Sequence, residues 1–238
     1  MTWLLILVFG LLAGLVQGLT GFGSAIIMMI VLPSVMPIAQ GAGVATLIMA
    51  ASVVTLTIRY RHDIHLRRVI LPFVVYAAMA TWSVHLGQHL DLQLLRHLLG
   101  VLLVALALYF TLAPKAGSHP YPLIIAIGFM LISGFFNGLF GIGGPLMALY
   151  FLTLSSTTGE YVATVQTFFL IDIIYITTLR VSQGILTVSN VPAILIGMIG
   201  AFVGTVIAAH LLNRLNMAAV KRLIYLFIGL SGLYYLFL

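Results

Sequence analysis

Two stretches of this chain are too long to be single straight membrane helices, Thr2 to Pro37 and Tyr121 to Leu154, and both are almost wholly apolar. At more than thirty residues each, a continuous helix would extend roughly 50 Å, against a hydrocarbon core of about 30 Å. Each carries a glycine cluster near its middle, GLTGFGSA at residues 18 to 25 and GLFGIGGP at 138 to 145. Clustered glycines interrupt a helix, and bare backbone at membrane depth survives only where it is buried in protein or lines a cavity. The arms on either side would reach roughly 15 to 24 Å as helix, enough to approach the midplane and return but marginal for a full crossing. Re-entrant helical hairpins with glycine tips fit these lengths.

Between and beyond these two stretches the apolar runs continue, at about Ala42 to Ile58, Val69 to Leu86, Leu92 to Leu112, Tyr161 to Leu179, Val188 to Leu212 and Ala218 to Leu238. With 63% hydrophobic and 6% charged residues, the expected fold class is an all-α integral membrane protein. No run reads as a removable leader, and no soluble segment is long enough to fold alone. The eight runs form two sets of four. Gly14 answers Gly134, Gln17 answers Asn137 and Pro72 answers Pro192, all at an offset of 120; Val44-Ala45-Thr46 recurs as Val162-Ala163-Thr164 after a small drift. Leu95-Arg96, opening the fourth run, likewise answers Val220-Lys221, opening the eighth. A duplication follows, with a first membrane repeat at 1–115 and a second at 116–238.

Lysine and arginine favour the cytoplasmic side of short loops, which separates two topologies. If the first and fifth runs each cross once, the cluster Arg59, Arg61, Arg67 and Arg68 is joined inside by Lys115 and Arg180 only, a split of six to four. If both are hairpins, Lys115, Arg214, Lys221 and Arg222 join the cluster and only Arg96 and Arg180 lie outside, a split of eight to two. The hairpin topology is therefore expected. It leaves three crossings per repeat, so the two repeats are inverted, both termini are external, and the glycine tips approach the midplane from opposite faces. The net charge of +6 reads as topogenic or lipid-directed, and no soluble basic face exists for nucleic acid.

The arms that follow the tips begin near Ser24 and Pro145, and the first amides of a helix lack internal partners and carry partial positive charge. Such tips suit an oxyanion. Candidate substrate-binding residues are Gln17, Thr20, Gly21, Phe22, Gly23 and Ser24 at the first tip, with Asn137, Gly141, Ile142, Gly143, Gly144 and Pro145 at the second. Gln166 is a further candidate, with interior hydrogen bonding as its alternative role. Pro145 suits a first helical position because its missing N–H costs nothing there. Gly10, Gly14 and Gly18, like Gly134 and Gly138, form small-residue ridges that read as helix packing.

Asp172 is the acidic residue set deep in an apolar run, where an ionisable group is expensive unless paired, hydrated or protonated. It is the candidate for proton coupling; its structural alternative is a same-face partner of Gln166, Thr164 or Tyr175. Arg180 lies two turns further on and reads as an interfacial residue. Thr157 with Glu160 forms a capping-box pattern ahead of an apolar run. His62 with His65, and His85 with His89, have a weak metal-pair spacing and no further ligand set. The 238 residues hold no cysteine, and no paired acid–base set sits inside the membrane, so no catalytic, cofactor or metal site is expected.

These elements together resemble the TauE/SafE sulfite exporter family, also called the 4-toluene sulfonate uptake permease family. The resemblance covers most of the chain. It rests on the duplicated four-segment plan, G-x-x-G-x-G at Gly18 to Gly23 and Gly138 to Gly143, the following Pro145, and the linker RYRHDIHLRR. It implies movement of small sulfur-containing anions, such as sulfite, sulfoacetate or other organosulfonates, across a bacterial inner membrane. The first repeat departs from the fuller pattern, with Ser24 and Ala25 where the second has Gly144 and Pro145. The expected activity is secondary transport by alternating access around a midplane site between the tips. Export is favoured over uptake, since an inside-negative potential drives an anion outward by about 2.3 kcal/mol per charge at 100 mV. An anion channel and a membrane accessory subunit of another complex are the alternatives. The expected partners are the small anion, the lipid bilayer and, compatibly with the sequence, a second copy of the chain.

Overall fold

The computed structural model describes residues 2–112, 121–211 and 217–237; Lys115 and Arg214 of the charge count lie outside them. Among the described residues ten α-helices follow in order: α1 (Thr2–Thr20), α2 (Ser24–Val31), α3 (Ile38–Arg59), α4 (Arg67–His89), α5 (Leu92–Leu112), α6 (Leu123–Phe140), α7 (Gly144–Leu154), α8 (Thr158–Ser182), α9 (Val191–Leu211) and α10 (Met217–Phe237). Among the described residues seven helical spans are long and apolar enough to cross a membrane. Their outer faces carry large exposed apolar side chains, among them Leu71, Ile124, Ile199 and Phe202. So much bare apolar surface belongs against lipid. The chain is an all-α integral membrane protein.

The two overlong runs break where their glycines lie. Gly21 and Gly23 take φ of 84° and 101° between α1 and α2, and Gly141 takes 71° between α6 and α7. Side chains with a Cβ rarely adopt this left-handed conformation. Pro145 sits in the first turn of α7, as its fixed φ and missing N–H favour.

Close approach between glycine-bearing faces sets the helix partners. Gly10 packs on Gly197, Gly14 on Ala201, and Gly18 on Thr205 and Ala208, so α1 runs parallel to α9. A Cβ on Gly10 would lie 2.6 Å from the Gly197 carbonyl oxygen. Gly134 meets Tyr76 and Met79 while Gly138 meets Ala80 and Ser83, so α6 runs parallel to α4. The ridges pack helices, as their spacing suggested. Exchanging the two halves turns the α1–α9 contact into α6–α4 and leaves the α3–α8 and α5–α10 contacts unchanged.

Chain direction follows from these pairs. The Arg68 guanidinium, at the start of α4, donates to the Leu154 carbonyl at the end of α7, 3.0 Å away, and also to Glu160. Since α6 starts at that same end of α4, the α6–α7 unit returns to the side from which it enters. For the first unit, Gly43 packs on Leu186, Gly197 on Ile48, and Thr205 bonds Ser52 at 2.7 Å, so α3 runs parallel to α9 and hence to α1. The chain therefore comes back along α2 to the end at which α1 began. Both units are hairpins, entered from opposite ends of the bundle.

Candidate functional site

Both glycine tips border one small cavity of about 10 Å³. Gly23, Ala25 and Ile26 come from the first hairpin, and Asn137 with Gly141 to Pro145 from the second; Met49, Tyr76, Phe169 and Asp172 complete the wall. That volume holds about one water molecule. A Cβ on Gly144 would lie 3.3 Å from the Phe22 Cβ, so the tips touch. Gly143 is pinned by the Tyr76 hydroxyl, which leaves no room for a side chain.

The first tip is tied by amides. Gln17 Nε2 donates to the Gly21 carbonyl and to Gln166 Oε1, both at 3.2 Å, while its Oε1 accepts from the Ser24 N–H at 3.2 Å. Gln166 Nε2 donates to the same Gly21 carbonyl at 2.7 Å. The Thr20 hydroxyl lies 2.6 Å from the Phe22 carbonyl oxygen and 2.9 Å from that of Val16. Its oxygen also accepts from the Phe22 N–H at 3.3 Å. Ser24 is fully buried and its hydroxyl has no hydrogen-bond partner among the described residues.

The second tip is tied by charge. Asn137 Nδ2 donates to Asp172 Oδ1 at 3.0 Å, and the Tyr76 hydroxyl donates to Asp172 Oδ2 at 3.3 Å. Arg180 donates through one terminal nitrogen to the Asn137 and Gly138 carbonyls, at 2.8 and 3.1 Å, and through the other to the Thr46 hydroxyl at 3.0 Å. Those two carbonyls lie in the last turn of α6, where the helix end carries negative partial charge; the Asn137 oxygen also accepts from the Gly141 N–H at 2.8 Å. A guanidinium satisfies and neutralises them together.

The structure therefore sorts the candidates into three groups. Asn137, Gly23, Gly141, Ile142, Gly143, Gly144, Pro145 and Asp172 border the central cavity. Thr20 and Phe22 instead line a second space, an open vestibule of about 500 Å³ with Ser155, Ser156, Thr157, Thr158, Tyr161 and Tyr225. Gln17, Gly21, Gln166 and, through its backbone N–H, Ser24 form the network behind the first tip. Two readings are corrected. Arg180 is not interfacial: it is 1% exposed, because α3 and the end of α6 close over it. The partners of Asp172 are Tyr76 and Asn137, on α4 and α6, and not Gln166, Thr164 or Tyr175 on its own helix. Tyr76 and Met49 were missed, since an aromatic or a methionine in an apolar run reads as packing. Thr46 was visible only as part of the repeated Val-Ala-Thr. At the mouth, Thr157 caps α8 by accepting from the Glu160 N–H at 3.1 Å, and Glu160 accepts from the Ser156 N–H at 2.7 Å.

Two broken helices meeting at a buried polar site inside an apolar bundle define a multi-pass membrane protein with re-entrant breaks. The family model described as "Sulfite exporter TauE/SafE" matches residues 6–235, and the chain belongs to that family of membrane transporters. A curated protein of Sinorhizobium sp, named "Probable membrane transporter protein ORF9", is 29% identical over 167 residues, 67% of this chain and 64% of that protein. The match thus spans less than two thirds of that relative's length. No solved structure matches the chain.

Proposed function

We propose that this protein is a secondary transporter of a small sulfur-containing anion, sulfite or an organosulfonate, working by alternating access at the cavity between the tips. The observation that carries the reading is the convergence of both tips on that cavity, with a buried arginine and a buried aspartate bonded to opposite ends of Asn137. The first-turn amides of α7 supply further donors for an oxyanion. On this reading residues 1–115 and 116–238 are inverted repeats, and the substrate site comprises the candidate residues bordering the cavity, with Gln17 and Gln166 behind the first tip.

The vestibule supports export. It opens beside the residue 155–158 loop, at the end of the bundle where Arg68 pairs with Glu160. The positive-inside rule assigns that end to the cytoplasm of a bacterial inner membrane. A site reached from there is loaded from inside. Asp172 is the residue through which a proton would couple.

Purified protein in liposomes, assayed with sulfite, thiosulfate, sulfoacetate, taurine and carboxylate analogues, tests the substrate. Saturable, counter-transportable flux of a sulfur oxyanion is expected. Carboxylate transport without sulfur oxyanions would remove the substrate assignment, non-saturable flux would indicate a channel, and flux only beside a second protein would indicate an accessory subunit. Asp172→Asn is expected to abolish the proton dependence of flux; an unchanged pH profile would exclude Asp172 as the coupling group.

A further inference from the structure

We propose that Arg180, which lies behind the cavity wall and not on it, is balanced across Asn137 by Asp172 when the site is empty and by the substrate anion when it is full, so that each anion binds together with a proton on Asp172. The inference rests on the anion-transport reading above and not on its direction: a monoanion moving with one proton carries no net charge, so the membrane potential no longer drives it outward and the anion and proton gradients set the direction. Arg180 is fully buried, yet among the described residues it makes no ion pair within 4.0 Å. Its three bonds go to neutral oxygens, of Thr46, Asn137 and Gly138. A buried cation without compensating charge is costly inside a membrane. The compensation at rest is Asp172, linked to Arg180 through Asn137: the side-chain amide nitrogen of Asn137 donates to the carboxylate and its backbone carbonyl accepts from the guanidinium.

Other charges do not confuse the balance. Facing Asp172 are Tyr76 from α4 and Arg180 on its own helix, and α6 brings only Asn137. The ionisable residue of α3 is Arg59 at its far end, and that of α7 is Tyr150, which is not among the residues lining the cavity. An anion entering the cavity meets Asp172 on its wall. With Asp172 ionised, the incoming charge is repelled by the carboxylate and finds Arg180 already balanced. A proton taken from water onto Asp172 removes the repulsion and leaves Arg180 with a charge for the anion to balance. It also releases the Asn137 amide from its bond to a carboxylate, so that it can donate to the bound oxyanion. The first tip has no such pair, since its carbonyl is held by the neutral Gln17 and Gln166; the linkage belongs to the second tip alone.

The test is calorimetric, on the intact protein in nanodiscs, with methanesulfonate, 4-toluenesulfonate and thiosulfate as probes because their charge is constant between about pH 5 and about pH 9. Titration in buffers of different ionisation enthalpy reads protons taken up per anion bound. About one proton per anion is expected, with affinity falling about tenfold per pH unit where Asp172 is ionised in the free protein. Asp172→Asn is expected to bind at alkaline pH at least as tightly as the unaltered protein does in acid, with no proton uptake. Arg180→Lys keeps the charge and is expected to keep the linkage at lower affinity, whereas Arg180→Gln loses both. Anion binding by the unaltered protein with no proton uptake and flat pH dependence would overturn the inference and leave the transport reading standing. Failure of every sulfur oxyanion to bind would overturn both.

Discussion

Asn137 has each of its polar ends committed to a different charged group, and its neighbour Gly138 shares one of them. The side chain and the backbone can therefore be separated by mutation. Asn137→Ala removes the donor to Asp172 but leaves the carbonyl for Arg180. Flux by counterflow is expected to fall at least about tenfold while folding loses only about 1–3 kcal/mol, the cost of a buried acceptor losing one donor. A fall in thermal stability large enough to remove folded protein would instead make Asn137 structural. Asn137, Asp172, Gln17 and Gln166 were all visible in the sequence, because a polar residue inside an apolar run has few bland explanations. Tyr76 was not, because burial of a tyrosine among apolar residues is ordinary. Arg180 was misread for a related reason: it stands at the end of an apolar run, where arginines commonly reach the interface. Only the placement of α3 and α6 around it shows that it cannot.

Glycine acts in two ways along these helices, at the tips by its backbone freedom and along the ridges by its small size. The ridges hold α1 to α9 and α6 to α4 across the two halves, so they are what fixes the hairpins in position. Gly14, whose Cβ would run into the Ala201 carbonyl, and Gly128, which has nothing within 4 Å, provide a contrast within one protein. Gly14→Leu is expected to cost more than about 3 kcal/mol by forcing α1 from α9, whereas Gly128→Ala is expected to be neutral or slightly stabilising. Thermal unfolding in detergent checks both; equal Tm values for the two variants would mean that α1 is not seated on α9. The hairpins themselves were legible in the sequence, since run length, glycine position and arginine count are local quantities. Which helix each hairpin packs against was not. The partners are more than 180 residues apart for Gly14 and Ala201, and a small-residue ridge does not specify its mate.

At the scale of the whole molecule two spaces near the tips are unequal: a vestibule of about 500 Å³ beside Thr20 and Phe22, and a cavity of about 10 Å³ at the tips. Phe22 stands between them, on the vestibule wall and against Gly144, with its ring 5.6 Å from that of Phe110. The bundle is thus wide toward the residue 155–158 end and narrow where the tips meet. Because the chain has no cysteine, single cysteines can report this directly. Ser156→Cys, on the vestibule, is expected to react with a membrane-impermeant maleimide in inside-out vesicles and to be protected in right-side-out ones. Ser189→Cys, in the exposed turn at the far end of α8, is expected to show the reverse. Ile142→Cys, 3% exposed at the tip, is expected to react at least about tenfold more slowly than Ser156→Cys from the vestibule side, and to speed up in a Phe22→Ala background. Labelling of Ser156→Cys and Ser189→Cys from one face would contradict the sidedness assigned to the hairpins. Unchanged labelling of Ile142→Cys when Phe22 is removed would mean that the constriction lies elsewhere, in the amide network of Gln17, Gly21 and Gln166 that ties the first tip to α8.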